Sequence, residues 1–87
     1  MGGGSGYEVH HVVEQWKTGD EFSEDQIEDP SNKVRIPYYT HKMIQSFYQR
    51  KNPDLGGLTP RQFLEGKPFK EQLEYGKSVL RKFGVMK

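Results

Sequence analysis

Apolar positions follow two different rhythms along this chain. From Tyr7 to Val13 the run Y-E-V-H-H-V-V is β-branched and half alternating, which predicts a strand. Lys33 to Ile36 predicts a second short strand, ended by Pro37, which has no amide hydrogen for a ladder. From Tyr39 to Lys51 the rhythm changes: Tyr39, Met43, Ile44, Phe47 and Tyr48 recur at helical spacing and predict an amphipathic helix. Asn52-Pro53-Asp54 and then Gly56-Gly57 break that helix into a loop.

Two further helices follow. Thr59-Pro60-Arg61-Gln62 holds the parts of a helix start: a threonine cap, proline at the first helical position, and glutamine placed to complete a capping box. Gly66 closes that short helix. The last helix is predicted from near Pro68 to Phe83, with Phe69, Leu73, Val79, Leu80 and Phe83 on one face and Gly84 as its stop. Gly76 costs such a helix about 1 kcal/mol relative to alanine, so it marks a close approach, read here as a helix crossing. Trp16 to Pro30 is acidic, with Phe22 and Ile27 scattered through it, and reads as a loop holding one short helical turn. The chain has no internal repeat, and its order is strand, loop, strand, helix, helix, helix.

Eighty-seven residues make one small domain. Hydrophobic residues are only 32% of the chain but aromatics are 13%, so Phe and Tyr must build much of the core. A domain this small gains from a bound ion, a partner or a parent chain. Met1 to Gly6, M-G-G-G-S-G, reads as an appended linker outside the fold, which implies that residues 7–87 are a domain excised from a longer protein. No apolar run approaches the roughly 20 residues of a membrane span, and no signal peptide is visible. The absence of cysteine excludes disulfides and thiolate zinc sites.

The net charge of +1 conceals a division. Through Pro30 there are eight acids against Lys17 alone, and from Ser31 onward twelve Lys/Arg against four acids. The basic half suits a polyanion such as nucleic acid, and equally suits solvated lysine-rich helix faces. The acids from Asp20 to Asp29 read as a solvated loop.

The candidate chemistry lies in the histidines. His10 and His11 are adjacent, Asn32 follows on the far side of the loop, and His41 lies on the first predicted helix. Phosphodiester hydrolysis needs an activated water, an electrophile for the developing charge and a stabilised leaving oxygen. A divalent cation serves the last two needs, and a histidine, with an ordinary pKa of about 6.5, can take the proton of the water. Neighbours on a regular strand point to opposite faces, so the His10-His11 pair calls for a strand end or a twist.

V-H-H-V-V-E-Q (Val9 to Gln15) followed by S-N-K-V-R-I-P-Y-Y-T-H (Ser31 to His41) resembles the HNH/endonuclease VII superfamily. The ending E-Q-L-E-Y-G-K-S-V-L-R-K-F-G-V (Glu71 to Val85) is similar to HNH-type nuclease domains at the C-termini of bacterial polymorphic toxins. The resemblance implies an α+β fold with a ββα-metal (His-Me finger) core, a two-stranded hairpin plus helix, over residues 7–51. Residues 52–87 would form a C-terminal helical extension. It implies His10 and His41 as metal ligands, His11 as general base, and Asn32 as the residue that pins the loop and orients that base. Mg²⁺ or Mn²⁺ would be the cation, with Zn²⁺ or Ni²⁺ also compatible with imidazole. DNase colicins carry a further histidine ligand one turn after the position of His41; here that position is Gln45, whose amide oxygen is a weaker ligand.

The implied activity is cleavage of DNA, with RNA open, at little sequence specificity. A cognate immunity protein would be a partner, and the parent would be secreted or delivered by a bacterial secretion system to act in the target-cell cytoplasm. Arg35, Lys42 and Arg61 are candidate phosphate contacts. Glu14 is either an orienter of a histidine or a solvated acid, and Trp16 and Tyr38 are read as core aromatics, with base stacking the alternative. Two other readings of the residues stand beside the enzyme: a non-catalytic nucleic-acid-binding module, and a protein-interaction, antitoxin-like module suggested by Asn52 to Leu64.

Overall fold

The structure is a computed structural model and describes residues 6–19 and 21–86. It is a small α+β arrangement in which a two-stranded antiparallel hairpin packs with several helices. Strand β1 (Tyr7–His11) pairs with β2 (Lys33–Pro37) in a register that sets His10 opposite Val34 and His11 opposite Lys33. Strand β1 therefore ends two residues earlier than its apolar run. Val12 N–H still donates across to the Asn32 carbonyl at 2.8 Å, but Asn32 N–H turns away to the Asp29 carbonyl at 2.8 Å and Val13 N–H donates to the Asn32 side-chain Oδ1 at 2.7 Å, so the ladder stops there. Both valines are buried, Val12 against the last helix.

Of the proposed linker, Met1 to Ser5 lie outside the described residues. Gly6 belongs to the hairpin end, since its carbonyl accepts from Tyr38 N–H at 2.7 Å.

The excursion between the strands carries more structure than one turn. A 3-10 turn spans Gln15–Lys17, and helix α1 (Glu24–Glu28) starts on a capping box between Ser23 and Gln26. Glu21, Glu24, Asp25 and Asp29 are exposed, as a solvated loop requires, but they are not all without partners. Glu21 accepts from Lys17 Nζ at 3.0 Å and from Gln72 Nε2 at 3.1 Å, so it neutralises a lysine that is itself fully buried. A buried ammonium without such a partner would cost several kcal/mol.

Helix α2 (Tyr38–Gln49) follows β2 without a linker, its start fixed by Pro37. Helix α3 (Pro60–Leu64) begins on the Thr59–Gln62 capping box that the sequence predicts. Helix α4 (Phe69–Lys82) is amphipathic, and Gly84 takes φ +78° just past its end, a conformation that only glycine adopts cheaply. The core gathers Val12, Ile36, Ile44, Tyr48, Leu64, Val79 and Leu80 from every layer. Gly76 does mark a close approach, but the neighbour is not a helix. A Cβ there would lie 2.5 Å from Val12 Cγ1 and 2.7 Å from the Val12 carbonyl oxygen, so α4 rests directly on the backbone that leaves β1.

Trp16 and Tyr38 are not core residues; they are 51% and 47% exposed. The aromatic interior is made by Tyr48, Phe47, Phe63, Tyr75 and Phe83 instead, in edge-to-face or tilted contacts. Among the described residues, no helix is long and apolar enough to cross a membrane.

Candidate active site

The hairpin and α2 bring two of the three histidines into contact. His10 is the fourth residue of β1 and buried, and His41 lies in the first turn of α2, half-buried. Their Nδ1 atoms stand 3.2 Å apart, with ring centroids at 5.4 Å and planes at 76°. Burial first, and then the neighbouring His41 ring, push the His10 imidazole down from 6.5 to about 4. Burial also lowers that of His41. Both rings are therefore neutral at physiological pH, and each keeps a lone pair.

That pair meets the first requirement of a cation site. Two nitrogens bound at about 2.1 Å to one tetrahedral or octahedral ion stand roughly 3.0–3.4 Å apart. Neutral imidazoles at 3.2 Å are thus a ready two-point donor set for a divalent ion. Among the described residues, His, Cys, Asp and Glu form no group of three that would complete an all-protein cage. Gln45, one helical turn beyond His41, lines the same cleft and is the further oxygen donor that α2 presents.

His11 ends β1 and takes a different partner. Its Nε2 lies 3.2 Å from Glu28 Oε2 at the end of α1, and Lys33 Nζ reaches the other carboxylate oxygen of Glu28 at 3.5 Å. A carboxylate on one imidazole nitrogen fixes the ring's tautomer and direction. The adjacent histidines thus part at the strand end, one towards α2 and one towards α1.

Asn32 ties this corner together. It is fully buried: Oδ1 accepts from Val13 N–H, while Nδ2 donates to the carbonyls of Val13 at 3.1 Å and Ile27 at 2.9 Å. One amide thereby joins the exit of β1, the end of α1 and the start of β2. The position of Glu28, next to Ile27, depends on it.

Around the histidines is a polar cleft of about 290 Å³, walled by Glu8, His11, Trp16, Gln45, Tyr48 and Arg61 among others. Glu14 does not orient a histidine. The strand has ended before it, and its carboxylate instead holds Arg61 in a two-pronged pair, Nε at 3.0 and 3.1 Å and Nη2 at 2.8 Å. This pairing offsets the unfavourable place of a cation in the first turn of α3 and raises the arginine's pKa further. Arg35 and Lys42 are exposed and stand outside the cleft wall, each 5.4 Å from a tyrosine ring, Tyr7 and Tyr38 respectively.

Two site residues escape sequence reasoning. Glu28 is one acid in a run of acids, and only its position four residues before Asn32 hints at the corner. Tyr48 reads as a core aromatic, which it is. Yet its hydroxyl is buried without a hydrogen-bond partner among the described residues, and its side chain lines the cleft. Comparison with protein-family models, curated proteins and solved structures finds no match for the chain.

Proposed function

We propose that this domain is a metal-dependent endonuclease of the HNH/endonuclease VII type, cleaving DNA with little sequence preference as the toxic module of a bacterial effector. The observation that carries the reading is the convergence of His10 and His41, from separate elements, to 3.2 Å beside a third histidine held by a carboxylate. On this reading the hairpin and α2 form a ββα-metal core, with the excursion through α1 inserted between its strands.

His10 and His41 hold the cation, Mg²⁺ or Mn²⁺ ahead of Zn²⁺ or Ni²⁺, and Gln45 is the candidate third ligand. A divalent ion in that place supplies charge neutralisation at the phosphate and at the departing 3′ oxygen. His11 is the general base. Its contact with Glu28 leaves Nδ1 as the nitrogen for a water proton, and the carboxylate stabilises the imidazolium that results. Asn32 positions His11 by fixing the chain on both sides of it. Arg61, at the cleft wall, is the candidate phosphate contact, with Arg35 and Lys42 as more distant steering charges. The resemblance adds a cognate immunity protein as partner and a parent protein delivered by a secretion system into a target cell, where the domain acts in the cytoplasm.

Supercoiled plasmid incubated with Mg²⁺, with Mn²⁺ and with a chelator tests the proposal, alongside structured RNA. Nicking that requires the ion and disappears in His11→Ala supports it. Plasmid that is bound but left intact under every ion would make the domain a non-catalytic binding module. Plasmid neither bound nor cut would favour a protein-interaction module.

A further inference from the structure

Trp16 is the chain's single tryptophan, and it stands at the rim of the histidine cleft with half its surface in water. In a domain this poor in hydrophobic residues, leaving the largest aromatic side chain outside the core forfeits burial that the fold could use. Its place is nonetheless well fixed. It lies in the Gln15–Lys17 turn, where Lys17 is buried and bonded to Glu21. Lys17 Nζ sits 4.6 Å from the indole centroid, and the Arg61 guanidinium carbon sits 5.7 Å from it. Each cation is held by its own carboxylate, Glu21 or Glu14. The indole is therefore a half-exposed ring backed by two carboxylate-paired cations, in the wall of the cleft that holds the candidate catalytic histidines.

We propose that Trp16 is a stacking platform for an unpaired nucleobase next to the phosphate that is cut, so that the site takes single-stranded or locally opened nucleic acid in preference to regular duplex. This rests on the nuclease reading above and names its substrate class. A base within a duplex has both faces covered by its neighbours, whereas an unpaired base offers a free face to an aromatic ring. Arg61, whose side chain stays partly exposed beside the ring, suits a phosphate next to that base.

The single tryptophan makes the test direct, because its emission reports this position alone. The whole chain carrying His11→Ala is titrated in Mg²⁺ with a short mixed-sequence DNA strand, with its RNA counterpart, and with the same DNA closed into a hairpin duplex. Either single strand should quench the indole emission and bind more tightly than the hairpin. Trp16→Ala should weaken single-strand binding by about tenfold, the size of one lost base–aromatic stack, and Trp16→Phe should retain most of it. Hairpin affinity should change little, and unchanged thermal melts of both variants keep the comparison fair. Saturable binding without quenching, or a loss in Trp16→Ala that is equal for strand and hairpin, would overturn the platform. The two proposals fail separately: plasmid cut by the parent protein, with no quenching by any strand, leaves the nuclease standing and removes the platform.

Discussion

The Nδ1 atoms of His10 and His41 face each other at 3.2 Å although 31 positions separate them in the chain. On the nuclease reading these two rings would be the residues that hold the divalent ion. His41→Ala should abolish ion binding by calorimetry with Mn²⁺ and reduce plasmid cleavage by roughly 100-fold or more. The fold should survive, because His41 is only half-buried.

His11 and Glu28 make a separable pair. His11→Ala should lower cleavage about 10²- to 10⁴-fold, as expected for loss of a general base, while leaving Mn²⁺ affinity near that of the parent. Glu28→Gln keeps the shape and removes the charge, and should cost about 10- to 100-fold in rate. Single-turnover cleavage alongside the ion titration checks both.

Asn32→Ala should be the most destabilising of these changes. It strands the Val13 amide and the carbonyls of Val13 and Ile27 in a dry corner. We expect a loss of about 2–4 kcal/mol in urea denaturation.

Gly76→Ala gives a result opposite to helix propensity. Alanine favours a helix interior by about 1 kcal/mol, but its Cβ would collide with Val12 Cγ1 and the Val12 carbonyl. The backbone cannot yield as a flexible side chain would, so the net change should be a destabilisation of about 1–3 kcal/mol, read as a lowered Tm.

Acid should weaken the metal-free fold through His10. In the unfolded chain this imidazole titrates at its ordinary 6.5, and in the fold at about 4. Between those values the unfolded state holds the extra proton, so stability falls as pH drops through 6.5 and the loss is complete below about 4. The full shift corresponds to about 3 kcal/mol, and the lowered pKa of His41 acts in the same direction. Urea melts with a chelator present, at neutral pH and in mild acid, measure it.

What the sequence makes legible here is local. The Thr59–Gln62 capping box, the α2 spacing and the Gly84 stop depend on residues within one or two turns, and each appears in the structure. The meeting of His10 with His41 follows from a hairpin running directly into a helix, so it too lies within reach of pattern. Glu14 with Arg61, 47 positions apart, and His11 with Glu28 across the acidic excursion do not. They depend on the path of the loop, and acids in a run carry no mark of which one turns inward. Trp16 defeats pattern for a different reason. Large aromatics usually supply burial, and an indole held at a rim by two cations looks the same in sequence as one packed inside.

The clasp of Glu14 on Arg61 sets the smallest portable unit. A chain trimmed after Lys51 would keep every histidine yet leave the Glu14 carboxylate bare at the cleft mouth and strip α4 from the valine beneath it. The helices after Lys51 are therefore walls of the same room, and transplanting the histidine cleft elsewhere means carrying them along.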